Sequence, residues 1–464
     1  MRTYIADVIK MEGEEVELFG WVHARRDHGK LVFIDLRDRS GVTQVVFGPQ
    51  IAGAGDLRLE YVAKVTGIVQ KRPPNMVNDK IPTGHYEVSA TALEIISAAE
   101  ALPIPVDGDG YDIDEEARMK YRYLDLRRER MKNNLVFRNK VTVLTRDYMN
   151  RNGFIEVETP MLTKTSPEGA RDFLVPSRLQ SGKFYALPQA PQQYKQLLMI
   201  AGIERYFQLS RAMRDEDLRG DRQLEHTQID LEMSFATEQD VRDMVEGLMI
   251  HIAESCGKTV WKKPFPVFTH EEAMKQFGAD KFDLRSEEEK KDPDLMAFAW
   301  VIDFPLLEMD EETKQYTFAH NPFSAPKAEH VEKVINKEDL GSVRAQQYDL
   351  VCNGYELASG GVRISDPKIQ RKVFEIMGLT PEQTEERFGH LVRAYEYGAP
   401  PHAGIAAGLD RLVMLLANEP NIREVIAFPV SASGQTSVMD APSEVDKKQL
   451  DELGIEVVKS KDKK

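Results

Sequence analysis

The sequence predicts an α+β protein built from two parts. Five short strand-like segments fill the first hundred residues, a stretch rich in proline and glycine follows, and strands and helices then recur without regular alternation. Regular alternation would favour a doubly wound parallel sheet. Its absence indicates a mostly antiparallel sheet with flanking helices in the second part.

The five N-terminal segments are rich in β-branched and aromatic residues and are separated by turn signals. They are EVELFGWVHA, KLVFIDLRD, GVTQVVFG, VAKVTGIV and YEVSATALEII. Five such strands predict a small closed barrel of the OB type over residues 1–104. The prolines and glycines of ALPIPVDGDG break regular structure, so we expect a linker or hinge over residues 105–132.

Residues 133–464 are expected to form the larger domain. Its first helix ends at Asn152-Gly153 and has one apolar face, formed by Phe137, Val141, Leu144 and Tyr148. Strands are expected in RYFQLSRAMR, HTQIDLEMSF, AWVIDFPLL and YDLVCNGYEL. The last helical pattern, in GIAAGLDRLVMLLA, is formed by Ile405, Leu409, Leu412 and Leu416.

Composition excludes several classes of protein. The chain has 464 residues, 42% hydrophobic and 30% charged, which is ordinary globular usage. No apolar run approaches the roughly 20 residues of a membrane span, and the N-terminus lacks a signal-peptide pattern, so we expect a cytoplasmic protein without a membrane partner. A net charge of −15 disfavours non-specific binding to DNA. Cys256 and Cys352 lack the spacing of a disulfide scaffold or zinc site.

Phosphate recognition, if present, must use arginine, because the chain contains no GxxxxGK[ST] and no GxGxxG between a strand and a helix. In ERYFQLSRAMRDEDLRGDRQLEHTQIDLEMSF, two strand-like runs flank a connection that carries Arg214, Arg219 and Arg222. A guanidinium on a sheet edge can hold phosphate bidentately. From these residues alone, a solvated charged hairpin is the more common interpretation of such a segment.

This segment resembles motif 2 of the class II aminoacyl-tRNA synthetases, with MRDE as its arginine-bearing string. NRNGFIEVETPML resembles motif 1, whose proline, here Pro160, lies at the dimer interface in the family. GIAAGLDRLVMLL resembles motif 3, whose arginine is Arg411 here. Together with TPMLTKTSPEGARDFLVPSRLQSGKFYALPQAPQQYKQLLM and GYELASGGVRI, the resemblance narrows to the bacterial aspartyl-tRNA synthetases and covers nearly the whole chain.

The resemblance implies an ATP- and Mg²⁺-dependent homodimer that attaches L-aspartate to tRNA-Asp through an aspartyl-adenylate. It assigns six residues to ATP and its metal: Arg214, Glu216, Gln228, Arg411, Asp349 and Glu356. Among them, Asp349 and Glu356 are the expected metal ligands. It assigns six more to aspartate: Glu168, Gln192, Lys195, Asp230, His320 and Arg363. Arg363 and Lys195 would read the side-chain carboxylate, because discrimination against asparagine requires buried cations.

The barrel is the expected anticodon reader, since OB surfaces bind single-stranded bases by stacking and basic contacts. The resemblance points to Arg26, His28, Phe33 and Gln44. Alternation along the strand does not decide whether Phe33 belongs to the barrel core or to its surface. His28 resembles relaxed family members that also aspartylate tRNA-Asn. A further basic segment contains Arg122, Arg127, Arg128, Arg130 and Lys132. It either contacts the tRNA backbone or forms a solvated helix face.

Two departures from the family pattern stand out. The inserted domain that bacterial members carry between motifs 2 and 3 is expected to be absent, and the family's QSPQ is QAPQ here, so Ala190 lacks a hydroxyl. Three alternatives remain: an asparagine-specific synthetase, an enzyme that makes an amino-acid amide without tRNA, and a non-catalytic tRNA-binding factor. Arg363 and Lys195 together disfavour an asparagine-specific synthetase. The barrel disfavours an enzyme that acts without tRNA, and the presence of Arg214 and Arg411 disfavours a non-catalytic factor.

Overall fold

The computed structural model describes residues 2–165, 169–310 and 314–458. The chain forms two compact units that divide between Pro105 and Val106. Within the described ranges, no helix has the length and apolar character needed to cross a bilayer.

The first unit is a barrel of five long strands with one short added strand. Its strands are β1 (Arg2–Thr3), β2 (Glu15–His28), β3 (Leu31–Asp38), β4 (Gly41–Phe47), β5 (Val62–Lys71) and β6 (Tyr86–Ser97). The order β2-β3-β4-β6-β5 closes on itself because β5 also pairs with β2. Short 3₁₀ helices lie at Ile5–Lys10, Ala54–Asp56 and Pro74–Met76. The predicted five-stranded OB barrel is therefore confirmed.

The barrel core settles the orientation of strand β3. Ile34 and Leu36 are fully buried, whereas Phe33, which directly precedes Ile34, is only half-buried. Because successive side chains of a strand point to opposite faces, Phe33 lies on the outer surface of the barrel.

The second unit is built on an eight-stranded sheet in the order β13-β15-β18-β19-β20-β11-β10-β7. Its interior pairs are antiparallel, and β13 and β7 pair in parallel at the two edges. The strands of this unit are β7 (Ile155–Glu156), β8 (Leu174–Pro176), β9 (Phe184–Ala186), β10 (Arg205–Met213), β11 (Glu225–Ser234), β12 (Thr259–Val260), β13 (Val267–Thr269), β14 (Leu295–Met296), β15 (Phe298–Ile302), β16 (Leu307–Met309), β17 (Tyr316–Phe318), β18 (Gln347–Cys352), β19 (Tyr355–Val362) and β20 (His402–Gly408). The mostly antiparallel sheet is as predicted.

Helices flank this sheet. They are α1 (Glu115–Lys120), α2 (Arg122–Asp125), α3 (Glu129–Arg151), α4 (Gln192–Ile200), α5 (Glu238–Ser255), α6 (His270–Phe277), α7 (Val331–Asn336), α8 (Pro367–Ile376), α9 (Pro381–Tyr395), α10 (Leu409–Ala417) and α11 (Lys447–Leu453). Further 3₁₀ helices lie at Glu289–Lys291, Ala328–His330, Leu340–Ser342 and Ile422–Glu424. Apolar faces of α3, α5 and α10 pack on the sheet in one large hydrophobic cluster.

Strand β11 shows how the sheet separates core from site. Its residues Ile229, Leu231 and Met233 belong to the hydrophobic cluster. The alternate residues include Asp230 and Glu232, which are buried and charged. The period of two thus places apolar side chains on the helix-covered face and charged side chains on the opposite face.

Two sequence-based elements differ from the structure. Ile405 lies on strand β20, and helix α10 begins only at Leu409. The predicted helix therefore began too early and included a residue of a buried strand. The segment YDLVCNGYEL is not one strand but a hairpin, since β18 and β19 are joined at Asn353-Gly354. Strands β19 and β20 are rich in glycine, which weakens strand propensity, so they are difficult to recognise from the sequence.

The proposed basic segment is largely a buried ionic network. Arg122 and Arg128 are 0% and 1% exposed, so neither can contact tRNA or form a solvated face. Both bind Asp125, with N–O distances of 2.8 Å each. Arg130 binds Glu424 at 2.8 Å. Both earlier interpretations of this segment are therefore wrong for Arg122 and Arg128, because the sequence does not show that Asp125 and Glu424 supply the counter-charges.

Candidate functional site

A cavity of about 390 Å³ opens on the charged face of the large sheet. Ten of the twelve ATP- and aspartate-site candidates line it: Arg214, Glu216, Gln228, Arg411, Glu356, Gln192, Lys195, Asp230, His320 and Arg363. Asp349 is buried on the neighbouring strand β18 and does not line the cavity. Glu168 lies outside the described residues, although its neighbours Gly169 and Ala170 line the cavity. Residues scattered over the chain thus converge as expected.

One end of the cavity holds a quartet of buried charges, which we call the buried quartet: Lys195, Asp230, Glu232 and Arg363. None of the four is more than 5% exposed. The Lys195 ammonium lies 2.9 Å from Asp230 and 3.2 Å from Glu232. The Arg363 guanidinium binds both oxygens of Glu232, at 2.9 and 3.2 Å. Two cations and two carboxylates are therefore already in contact in the folded protein.

The carboxylates of the buried quartet differ in their pKa. Burial raises the pKa of Asp230 above its ordinary value, despite the adjacent Lys195. Glu232 is just as buried, but Arg363 and Lys195 outweigh that effect and lower its pKa. Glu232 is accordingly the firmly ionised member that holds both cations in place.

Glu232 is a site residue that sequence reasoning missed. It lies two positions after Asp230 on β11, so the two carboxylates share one strand face. The alternation itself was the available signal: QIDLE places polar residues at every second position of an otherwise apolar strand. A polar side chain on the buried face of a central strand needs a partner, which predicts a charged cluster.

The backbone approaches Glu232 closely at Gly404 on the adjacent strand β20. A Cβ atom at this position would lie 2.0 Å from the Glu232 Oε2 atom and 2.3 Å from the Leu231 carbonyl oxygen. Only glycine fits here. The quartet therefore depends on a glycine in the neighbouring strand as well as on its own charges.

Helix α4 brings Lys195 to the sheet and also supplies Gln192 and Gln196. The Gln196 amide donates to Tyr395 at 3.0 Å and lies 3.2 Å from a ring nitrogen of His402. Gln192 donates to Gln196 at 3.2 Å. These contacts orient the face of α4 that carries Lys195.

Ala190, where the family has serine, lines the cavity as expected. Neighbouring Gln189 supplies hydrogen bonds in this region. Its side chain exchanges two hydrogen bonds with the backbone of Ala170, at 2.9 and 3.0 Å, and donates to Asp172. The loop after residue 168 is thus tied to the cavity by Gln189.

The other end of the cavity carries more exposed charges. Arg411 lies at the start of α10, 3.2 Å from Asp221, and also donates to the Glu356 carbonyl. Arg222 lies 3.4 Å from Glu216. Arg214 donates to the Gln189 carbonyl at 3.5 Å. These arginines face the cavity with long or shared contacts, which leaves them able to bind an anion.

His226 lies between these arginines and was not singled out in the sequence. Burial, with the nearby positive charges of Arg214 and Arg411, lowers its pKa to about 3. Its ring is therefore neutral at pH 7. His320 also lines the cavity, and its pKa is lowered chiefly by burial. Neither ring adds positive charge to the site.

Gln228 offers an open acceptor toward the cavity. Its Oε1 atom is buried and accepts no hydrogen bond from any residue in the described ranges. An unsatisfied buried acceptor is costly, so a ligand group that donates a hydrogen bond here would be favoured.

Glu356 lines the cavity at the end where Arg411 lies, and Asp349 is buried on the neighbouring strand β18; together they form the candidate metal pair. Burial and the nearby Glu356 charge raise the pKa of Asp349 well above its ordinary value. A divalent cation would relieve this repulsion, and Mg²⁺ is commonly held by one or two carboxylates plus substrate phosphates. Among the described residues, no group of three or more acidic, histidine or cysteine side chains is placed to hold a metal. The donor pair therefore fits a metal that shares its ligands with a phosphate substrate.

The barrel presents a polar cluster beside Phe33. Arg26 donates to Asp35 at 2.8 Å and to Gln44 at 3.2 Å. Gln44 donates in turn to Glu87 at 2.7 Å, a residue that the sequence did not single out. The ring of His28 meets that of Phe33 edge-on, with centroids 5.9 Å apart. Arg26, His28 and Phe33 thus lie on one outer region of the barrel, and Gln44 is a buried member of the same hydrogen-bonded cluster.

Pro160 lies away from the cavity, in an exposed segment that follows edge strand β7. Apolar side chains around it are also exposed: Ile155 by 50%, Met161 by 38% and Leu162 by 51%. Such a group of exposed apolar residues is typical of an interaction surface.

Comparisons with known proteins agree with this geometry. Residues 114–432 match the family of class II tRNA synthetases for D, K and N, and residues 16–96 match the OB-fold nucleic acid binding domain. An aspartate–tRNA(Asp/Asn) ligase of Rubrobacter xylanophilus is 42% identical over 98% of this chain and 96% of its own. An aspartate–tRNA ligase of Staphylococcus saprophyticus is 39% identical over 96% and 97%.

A solved asparaginyl-tRNA synthetase from Pyrococcus horikoshii has the same fold, with a TM-score of 0.72, 23% identity, and coverage of 92% of this chain and 98% of that one. The sequence relatives are far closer, and they extend over both units of the chain. The chain therefore belongs to the aspartyl-tRNA synthetase family of class II aminoacyl-tRNA synthetases.

Proposed function

We propose that this enzyme attaches L-aspartate to tRNA in two steps, through an aspartyl-adenylate. The observation that carries the proposal is the buried quartet at one end of a cavity whose other end presents Arg214 and Arg411. The first end suits a small dicarboxylate, and the second suits a triphosphate. We expect the reaction to take place in the cytoplasm.

In the first step, an oxygen of the aspartate α-carboxylate attacks the α-phosphorus of ATP. The bond from that phosphorus to the bridging oxygen breaks, and pyrophosphate leaves. Two anions meet in this step, so cations are needed as charge develops on the phosphoryl oxygens. Arg214 and Arg411 supply them, and Glu216 borders the region where the adenosine would lie.

In the second step, a hydroxyl of the terminal ribose of tRNA attacks the activated carbonyl, and AMP leaves. The enzyme contributes position and charge, and no side chain forms a covalent intermediate. Asp349 and Glu356 would hold Mg²⁺, which supplies further neutralisation of phosphate charge when bound. Gln192 and Glu168 are proposed to hold the substrate ammonium.

Selectivity for aspartate follows from the two cations of the buried quartet. An asparagine side chain would leave Lys195 and Arg363 facing a neutral amide, which costs about 2 to 5 kcal/mol. His320 completes this pocket beside the substrate. Glu232 already holds both cations in place, so they do not have to be ordered when the substrate binds.

Removal of the two ATP-facing arginines tests this assignment. We expect Arg214→Ala and Arg411→Ala each to lower ATP–pyrophosphate exchange about 100-fold or more. Arg393→Ala, which removes an exposed arginine on α9, serves as the control. Near-normal exchange in either folded variant would overturn the assignment.

The barrel is proposed to read the anticodon through Phe33, Arg26 and Gln44. Stacking of one base on an aromatic ring is worth about 1 to 3 kcal/mol. Phe33→Ala should therefore lower the kcat/KM of tRNA charging at least about fivefold and leave pyrophosphate exchange unchanged. Equal loss in both assays would contradict a role restricted to tRNA.

We further propose that the enzyme accepts tRNA-Asn as well as tRNA-Asp. The support is His28, exposed at the end of β2 beside Phe33, and the name of the Rubrobacter relative, an aspartate–tRNA(Asp/Asn) ligase. Purified tRNA-Asn should be charged with aspartate by the parent and less well by His28→Leu, with His85→Leu as the control. A parent that rejects tRNA-Asn would overturn this proposal.

Two structural properties are also proposed. The enzyme is a homodimer through the exposed apolar segment at Pro160, which sedimentation can test. It lacks an inserted domain between motifs 2 and 3. In support, the adjacent strands β13 and β15 are joined by residues 270–297, which form α6, a 3₁₀ helix and β14. The Rubrobacter alignment spans 582 positions, more than the 464 residues of this chain.

A further inference from the structure

Lys281 lies in the connection between β13 and β15 and reaches the candidate metal pair. Its ammonium is 2.7 Å from the Oε2 atom of Glu356. Glu356 lines the cavity, whereas Lys281 has no part in the mechanism described above. The question is what a lysine does on a carboxylate that is proposed to bind a metal.

The backbone beside Lys281 is firmly anchored. Phe282 is 6% exposed, and its ring stacks on Phe277 at 4.1 Å and meets Phe268 edge-on at 5.4 Å. Its carbonyl accepts a hydrogen bond of 3.1 Å from the N–H of Gly354, two residues before Glu356. Lys281 and Glu356 are thus fixed to one packed block, so their contact is built into the fold.

The contact itself is weak enough to open. The side chains of Lys281 and Glu356 are 41% and 28% exposed. Ion pairs at such exposure contribute about 0.2–1 kcal/mol, so a stronger cation can displace the ammonium without disturbing the anchored backbone.

Two cations beside Glu356 oppose a bare metal ion, whereas Asp349 on the neighbouring strand favours one. The Lys281 ammonium lies on the Glu356 carboxylate, and the Arg411 guanidinium donates to the Glu356 carbonyl. A divalent cation arriving alone meets both positive charges. A triphosphate arriving with the cation offers both of them anionic partners instead.

We propose that Lys281 is a positioning residue that occupies the Glu356 carboxylate until a metal arrives together with ATP. The ammonium orients the carboxylate and competes with metal binding in the nucleotide-free enzyme. Metal loading is thereby coupled to nucleotide loading. This inference rests on the proposed metal role of Glu356.

Binding of Mn²⁺ provides a direct test, because Mn²⁺ accepts the same oxygen ligands and is counted by electron paramagnetic resonance. Full-length parent, Lys281→Met and Lys291→Met are titrated with and without a non-hydrolysable ATP analogue. Lys291 is the matched control, since it forms an exposed ion pair with Glu288 in the same connection.

Without nucleotide, Lys281→Met should bind Mn²⁺ at least about threefold more tightly than the parent, because both a competitor and a repelling charge are gone. Lys291→Met should match the parent. With the analogue, all three affinities should agree within about twofold. Equal affinity of Lys281→Met and parent without nucleotide would overturn the proposal.

Glu356→Gln separates the two ideas. A loss of Mn²⁺ binding with the analogue supports the metal site, and the behaviour of Lys281→Met then decides the role of Lys281 alone. If Glu356→Gln binds Mn²⁺ as the parent does, the metal assignment fails, and the proposal for Lys281 fails with it.

Discussion

The two ends of the cavity hold their charges in different ways. At the aspartate end, the members of the buried quartet are at most 5% exposed and are bound to each other. At the ATP end, the Arg411 and Glu356 side chains are 21% and 28% exposed and their contacts are shared.

The difference has a physical meaning. A buried ion that loses its partner is left uncompensated in a low dielectric, so the aspartate end cannot rearrange cheaply. Partly exposed charges exchange partners at lower cost, because water replaces some of what is lost. Rigid charges suit the discrimination of two amino acids of nearly equal size, and adaptable ones suit a triphosphate whose charge distribution changes during reaction.

The largest expected effect is on stability at the aspartate end. Glu232→Gln leaves Arg363 buried without its ionic partner, and such a loss typically lowers the free energy of unfolding by about 3–5 kcal/mol. Urea denaturation followed by circular dichroism measures it.

Glu225→Gln is the control for that variant. Glu225 lies on the same strand, but its partner Arg211 and its own side chain are over 40% exposed. We expect a change below about 1 kcal/mol. Similar losses in the two variants would contradict the proposed contrast between buried and exposed charges.

An intermediate effect is expected on acid stability in the ionic network before α3. Burial acts to raise the pKa of Glu424, but Arg118 and Arg130 outweigh it, so the pKa is lowered. A carboxyl group whose pKa is lowered by folding stabilises the folded protein at pH values above its ordinary pKa. This stabilisation is lost as the pH falls through the folded-state pKa.

The parent should therefore lose about 1–3 kcal/mol more than Glu424→Gln between pH 5 and pH 3. Denaturant midpoints measured at each pH provide the comparison. Parallel pH profiles for the two proteins would show that Glu424 is not an ionised network member.

The smallest expected effect is at the ATP end. Asp221→Asn removes one partner of Arg411, whose side chain can turn to water or substrate. We expect the free energy of unfolding to change by less than about 1 kcal/mol. The KM for ATP in pyrophosphate exchange should shift only a fewfold. A stability loss as large as that of Glu232→Gln would remove the distinction between the two ends.

The sequence predicted those parts of the molecule that local patterns encode. The barrel followed from five turn-bounded strands, and helix α3 from an apolar face at helical spacing. The family motifs assigned Lys195, Asp230 and Arg363 to one site. Residue patterns alone could not do so, because these three residues lie on α4, on β11 and after β19.

What the sequence did not predict depends on partners distant in the chain. Glu232 can be assigned to the site only once Arg363 is placed beside it. Arg122 looks like a surface cation until its hydrogen bonds to the backbone carbonyls of Arg423 and Ala427 are known. Strand β20 was taken into the following helix because its glycines and alanines carry little strand signal. Close packing against Glu232, and not local preference, explains Gly404.

The central claim is that the cations of the buried quartet read the charge of the amino acid. ATP–pyrophosphate exchange by the parent, with aspartate and asparagine in parallel, tests it most directly. A penalty of about 3 kcal/mol for the neutral amide predicts kcat/KM about 100-fold or more in favour of aspartate. Values for the two amino acids within tenfold of each other would contradict the claim.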